Sequence, residues 1–125
     1  MEAKGQTMVE ADTNVEKFQA LIIPTDFGAP AVEALLSFRE IQEAVGGLVQ
    51  AVNIDLGEGL VVTMCANEEG MFLDLPVNEF ASRLYGHQVI VGQVVLVGMS
   101  PDGDFGNLPT DLLYAIRSAY DDMRG

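Results

Sequence analysis

Apolar and polar positions alternate from Phe18 onward in KFQALIIP. Phe18, Ala20 and Ile22 take one side and Gln19, Leu21 and Ile23 the other. A period of two predicts a strand, apolar on both faces near its end and stopped by Pro24. After the loop TDFGAP the period changes. Val32, Leu35, Leu36, Ile41 and Val45 fall on one helical face with Phe38 beside it, while Glu33, Arg39, Glu40 and Glu43 point outward. Pro30 suits a first helical turn, and Gly46 and Gly47 supply the left-handed exit, so a helix is expected from Pro30 to Val45.

LVQAVNID and GLVVTMCA follow, joined by DLGEG. Their Val, Leu and Ile content and the glycines of the connection predict an antiparallel hairpin, Leu48 to Ile54 with Leu60 to Ala66. The segment NEEGMFLDLPVN comes next. Asn67, Glu68, Glu69 and Gly70 have turn chemistry. Met71, Phe72 and Leu73 read as a short returning strand that Pro76 prevents from continuing. Asn78 is an N-cap residue for a short helix that buries Phe80 and Leu84, with Tyr85 beside them, and ends at Gly86.

QVIVGQVVLVG is apolar on both sides of its alternation. Val89, Val91, Val95 and Val97 share one face; Ile90, Val94 and Leu96 share the other. A strand of that kind lies centrally or is covered twice, and Gly92 marks a bulge or a close approach of another backbone. After the loop MSPDGDFGN, the segment LPTDLLYAIRSAYDDMRG places Leu112, Ile116, Ala119 and Met123 on one stripe. That is an amphipathic helix, begun by Pro109 or Thr110 and packed on the core. The sum is a single α+β domain over residues 17–125. A four- or five-stranded mixed or antiparallel sheet should be packed against two main helices and one short helix. Residues 1–16 read as a flexible acidic tail.

Length and composition agree with one ordered domain. There are 125 residues and 49% are hydrophobic, so the high charge does not signal disorder. The single cysteine, Cys65, precludes an internal disulfide and suits a reducing interior. The N-terminal sequence has no basic flank followed by an apolar run, and no window reaches the length of a membrane span. The expectation is a soluble, cytoplasmic protein without membrane contact.

Charge narrows the partners. Nineteen acids against six bases leave −13, and no base lies between Arg39 and Arg83. Such a surface repels phosphate and argues against direct nucleic-acid binding; it favours solubility and, where it binds, basic partners.

Each catalytic arrangement fails on its spacing. His87 is the only histidine, and Cys65 with His87 is a dyad only in the sense that both are alone of their kind. No glycine pattern is followed by the lysine that a phosphate loop needs. In DGDFGN, Asp102 and Asp104 match the first and third positions of a calcium loop, but Gly106 and Asn107 reverse the required order and Leu113 replaces the bidentate Glu. No catalytic residue, metal ligand or cofactor site is assigned.

Four blocks occur in order: IQEAVGGLVQAV, NEEG, LPVN and VIVGQVVLVG. Together they resemble, from about Leu35 to Gly98, a family of small proteins catalogued only as a domain of unknown function. Its members occur in actinobacteria, other bacteria, phages and plasmids. The resemblance implies a phage or mobile-element accessory context and brings no catalytic residue with it. Gln50 and Gln93 stand where acids are common in that family's blocks, which speaks against carboxylate catalysis at those positions. The reading that follows is a non-enzymatic accessory protein that binds a host protein. The alternatives are a nucleotide-like small-ligand binder, a DNA mimic and a carboxylate enzyme using Glu68 or Glu69. Asn67, Glu68, Glu69 and Asn78 are the candidate partner- or ligand-binding residues.

Overall fold

The computed structural model describes residues 15–125, and the expectation for residues 1–14 lies outside them. The alternating stretch at Phe18 forms β1 (Phe18–Ile23). It pairs antiparallel with β2 (Val32–Leu36) along Phe18↔Leu36 to Ile22↔Val32. β2 corrects the expectation of a helix from Pro30. Opposed residues in an antiparallel pair share a face, so Val32, Ala34 and Leu36 lie on one side and Glu33 and Leu35 on the other. Leu36 packs in the core beneath the following helix. That helix, α1 (Phe38–Val45), starts only after Ser37. The Ser37 hydroxyl accepts from Glu40 N–H, and the Glu40 carboxylate accepts from Ser37 N–H. This reciprocal cap satisfies two backbone donors at once. Gly46, at φ 87°, ends the helix.

The hairpin forms as its sequence predicts. β3 (Val49–Gly57) pairs with β4 (Leu60–Asn67) through a turn at Glu58 and Gly59. Their φ values of 56° and 80° are the left-handed pair that a tight two-residue hairpin requires. α2 (Glu79–Tyr85) follows, then β5 (Val94–Met99), the two-residue β6 (Phe105–Gly106), and α3 (Thr110–Arg124). The sheet order is β2-β1-β5-β4-β3, with β6 paired to β5, and each pairing is antiparallel.

β5 is central and covered on both faces, as its double alternation predicts. Val94 and Leu96 enter one core with Leu21, Ile23, Met64, Phe80, Leu113, Ile116 and Tyr120. Val95 and Val97 enter the other with Phe18, Ala20, Ile41, Val45 and Cys65. α2 and α3 cover the first face and α1 the second. The Tyr120 hydroxyl, fully buried, lies 2.8 Å from Ala29 O and 3.2 Å from Asp26 O, tying α3 to the β1–β2 connection.

Two expected strands are shorter or absent. Residues 88–93 do not extend β5. There Ile90 O accepts from Asn78 N–H, Gly92 N–H donates to Pro76 O, and Val91 bridges Val77. The backbone partners of this run lie in the 76–78 loop, not in the sheet. Gly92 sits at φ 83°, and an added Cβ would meet Leu75 at 2.8 Å. Met71, Phe72 and Leu73 form no strand. Leu73 N–H donates to Glu69 O and Leu75 N–H to Gly70 O, so the chain closes on itself as a looped turn. Among the described residues no helix is long and apolar enough to cross a membrane.

Candidate functional site

The four candidate residues divide into two kinds. Asn67 ends β4 and is buried. Its Nδ2 donates to Val45 O at 3.0 Å, and its Oδ1 accepts from Glu69 N–H at 2.7 Å. It therefore caps the carbonyl end of α1 and shapes the turn that leaves the sheet. Asn78 is more deeply buried. Its Nδ2 donates to Ile23 O at 3.2 Å and Gly92 O at 3.0 Å, and its Oδ1 accepts from Ala81 N–H at 3.0 Å. One amide thus ties together β1, the strand-like run before β5 and the first turn of α2. Ser82 extends the network: its hydroxyl donates to Asn78 O and accepts from Ile90 N–H. Both donors and the acceptor of Asn78 are committed to backbone.

Glu68 and Glu69 are exposed. Glu68 borders a recess of about 70 Å3 whose wall also includes Gln50, Asn67, Met71, Gln88 and Val91. Asn67 and Glu68 meet there; Glu69 and Asn78 are not part of its wall. Ligand pockets for drug-sized molecules run to roughly 300–1,000 Å3, far larger than this recess.

Between the asparagines lies a surface that sequence reasoning assigned to a strand. Phe72 is 90% exposed, Met71 71% and Leu73 54%, with Val77 and Val89 exposed as well. Glu68, Glu69 and Asp74 flank them, and all three are exposed. The loop is pinned at its base by Asn67, by Gly92 N–H on Pro76 O and by Gly70 against Val91, where an added Cβ would approach to 2.8 Å. Asp74 holds a left-handed φ of 55° at the return. The readable signal is Gly70 and Pro76, which bracket MFLDL too tightly for a paired strand.

The remaining chemistry is accounted for structurally. Cys65 is fully buried, and loss of solvation pushes its thiol up to about 12, so no reactive thiolate forms near neutrality. His87 is exposed on the far side of α2 in sequence and stacks edge-on to Tyr85 at 5.1 Å. Gln93 Nε2 donates to Ala44 O at 2.8 Å, a donor role closed to a carboxylate. The DGDFGN stretch runs from the β5–β6 turn through β6; in that turn Ser100 bonds Asp102, and the contact holds the Asp102 carboxyl below its ordinary value. Among the described residues no three His, Cys, Asp or Glu side chains converge as a metal site would. A depression of about 770 Å3 is lined in part by Phe27, Pro30, Arg117, Asp121 and Arg124. Its arginines are engaged: Arg117 lies 3.5 Å from Glu33, and Arg124 Nε donates to Phe27 O at 2.7 Å.

Comparison with known proteins agrees with this fold. A solved structure of the small RNA methyltransferase HEN1 superposes with a TM-score of 0.58 at 22% identity. The likeness covers 92% of this chain but only 18% of that one, so this chain spans under a fifth of the protein it matches. At that identity the likeness concerns the fold alone. No curated protein matches the sequence. The profile described as "Domain of unknown function (DUF3846)" matches residues 17–121, a longer span than the four blocks, and the chain belongs to that family.

Proposed function

We propose that this chain is a non-enzymatic interaction protein that docks a protein partner through the loop between Asn67 and Asn78. Met71, Phe72 and Leu73 form the apolar contact, and Glu68, Glu69 and Asp74 select a partner whose pocket is rimmed by basic side chains. The carrying observation is Phe72, 90% exposed on a loop with a hydrogen-bonded base. An aromatic side chain held out by a rigid base loses little entropy on binding, and such residues dominate interface energetics. The acid rim speeds encounter with a positive surface and disfavours wrong partners.

The resemblance to a family spread among phages, plasmids and actinobacteria makes a host protein the partner in this reading. The single buried thiol without a disulfide partner supports a reducing, cytoplasmic setting for the encounter in this reading. RNA methylation is named for HEN1 and draws no support from this chain's charges. Of its five described bases, Lys17, Arg83, Arg117 and Arg124 each lie within 4.0 Å of a carboxylate.

A photo-crosslinking phenylalanine analogue at position 72 tests the reading in host lysate. The expected result is one reproducible protein adduct, reduced about tenfold or more when Met71 and Leu73 are changed to Ser. An adduct set that the serine changes leave untouched, or none at all, overturns it.

A further inference from the structure

At the opposite end of α1 from Val45, three elements meet: the approach to β1, the first residue of α1 and the β5–β6 turn. They bring together three phenylalanines that are distant in sequence. The Phe105 ring is centred 6.0 Å from Phe18, edge-to-face at 83°, and 5.8 Å from Phe38 at 44°. With Glu16, Gly103 and Asp104 they line an open pocket of about 380 Å3. Phe38 is 48% exposed, and Glu16 and Asp104 face water.

The chemistry of these walls selects among ligands. Aromatic faces carry negative potential, two carboxylates add to it, and the chain as a whole carries −13. An anion is repelled. A hydrated metal ion finds aromatic walls that cannot replace its waters, and no three acidic or imidazole groups converge among the described residues. A neutral apolar ligand leaves the rim charges without a counterpart. The neighbouring base, Lys17, is held 3.4 Å from Glu40 and does not line the pocket. What fits is a weakly hydrated organic cation, apolar on its surface and positive within.

We propose that this pocket binds a methylated ammonium group. Its N-methyl carbons lie against the Phe38 and Phe105 rings, and its charge is offset by Glu16 and Asp104. A choline-like small molecule and a methylated lysine of a protein share this chemistry. The site is separate from the Phe72 loop and stands or falls independently of it.

The test is a titration of the full chain followed by amide shifts at Phe38, Gly103, Asp104 and Phe105. The probes are choline, its neutral isostere 3,3-dimethyl-1-butanol, and a short peptide carrying trimethyl-lysine. Choline should saturate these shifts and bind at least about fivefold more tightly than the isostere. Phe38→Ala, at an exposed helix start, should weaken choline by a similar factor, and Phe105→Leu should do so again if the backbone spectrum is otherwise unchanged. Asp104→Asn should flatten the salt dependence of binding. Tighter binding of the peptide upholds the site with a protein source; equal binding upholds it with a free small molecule. Equal affinity for choline and isostere, indifference to Phe38→Ala, or no saturation by choline up to about 100 mM overturns the proposal.

Discussion

Asn67 and Asn78 spend their side chains on buried backbone, while Met71, Phe72 and Leu73, between them, hold apolar carbon out in water. This inverts the usual allocation of polar groups to the surface and apolar groups to the core. The polar ends are where the fold is closed: the exit from β4, and the junction of β1, α2 and the run before β5. The apolar middle carries no part of that closure. The contrast separates two kinds of residue that look alike in a sequence. Polar residues bracketing a glycine and a proline suggest a binding site, yet here the asparagines serve the scaffold and the flanking hydrophobic residues are left for a partner.

Substitutions at the two ends and in the middle should therefore separate cleanly. Asn78→Leu strands Ile23 O, Gly92 O and Ala81 N–H away from water. It should cost about 3 kcal/mol or more in urea unfolding, since each unsatisfied buried group costs about 1–3 kcal/mol. A loss below about 1 kcal/mol would show that water replaces the amide. Asn67→Ala should cost less, about 1–2 kcal/mol, because the turn it shapes is partly exposed. Its second readout is Cys65, two residues upstream. The buried thiol, raised to about 12, should resist thiol reagents in the native chain and label faster in the variant as β4 opens.

In the middle, changing Met71, Phe72 and Leu73 together to Ser should alter unfolding free energy by no more than about 0.5 kcal/mol. With the crosslinking analogue kept at position 72, Met71→Ser and Leu73→Ser together should reduce the partner adduct about tenfold or more. A large stability loss would mean that these side chains cover something the monomer needs. The smallest effect concerns a carboxylate that is tied to backbone, unlike the acids beside Phe72. The hydrogen bond from Ser37 N–H, helped by Lys17, holds Glu40 below its ordinary value of 4.5. A depressed carboxylate contributes stability that is present above 4.5 and lost as pH falls below it toward the folded value. Glu40→Gln should flatten the stability profile across that acid window, measured by denaturant midpoints, lowering stability slightly at neutral pH and leaving it nearly unchanged where the carboxylate is already protonated.

Much of the scaffold was legible because its determinants are local. The alternation in KFQALIIP and in VVLVG fixed β1 and the doubly covered β5. Glycine at 57 and 59 marked the β3–β4 turn, Asn78 marked the start of α2 and the apolar stripe from Leu112 marked α3. The helix expected from Pro30 failed although a better signal was present: Ser37 and Glu40 have the spacing of a reciprocal cap and place the helix start after Leu36. Val32, Leu35 and Leu36 satisfy a helical period by coincidence, and a five-residue edge strand is too short for its own alternation to outweigh that.

By itself, the sequence determined the local periods, the caps and the net charge of −13, because each is set by neighbours along the chain. Only the tertiary structure decided that β2 pairs with β1, that residues 90–92 bond to the 76–78 loop, and that Phe18, Phe38 and Phe105 line one pocket. Those outcomes depend on which distant backbone groups and rings come within reach once the sheet closes. No spacing along the chain encodes such a distance.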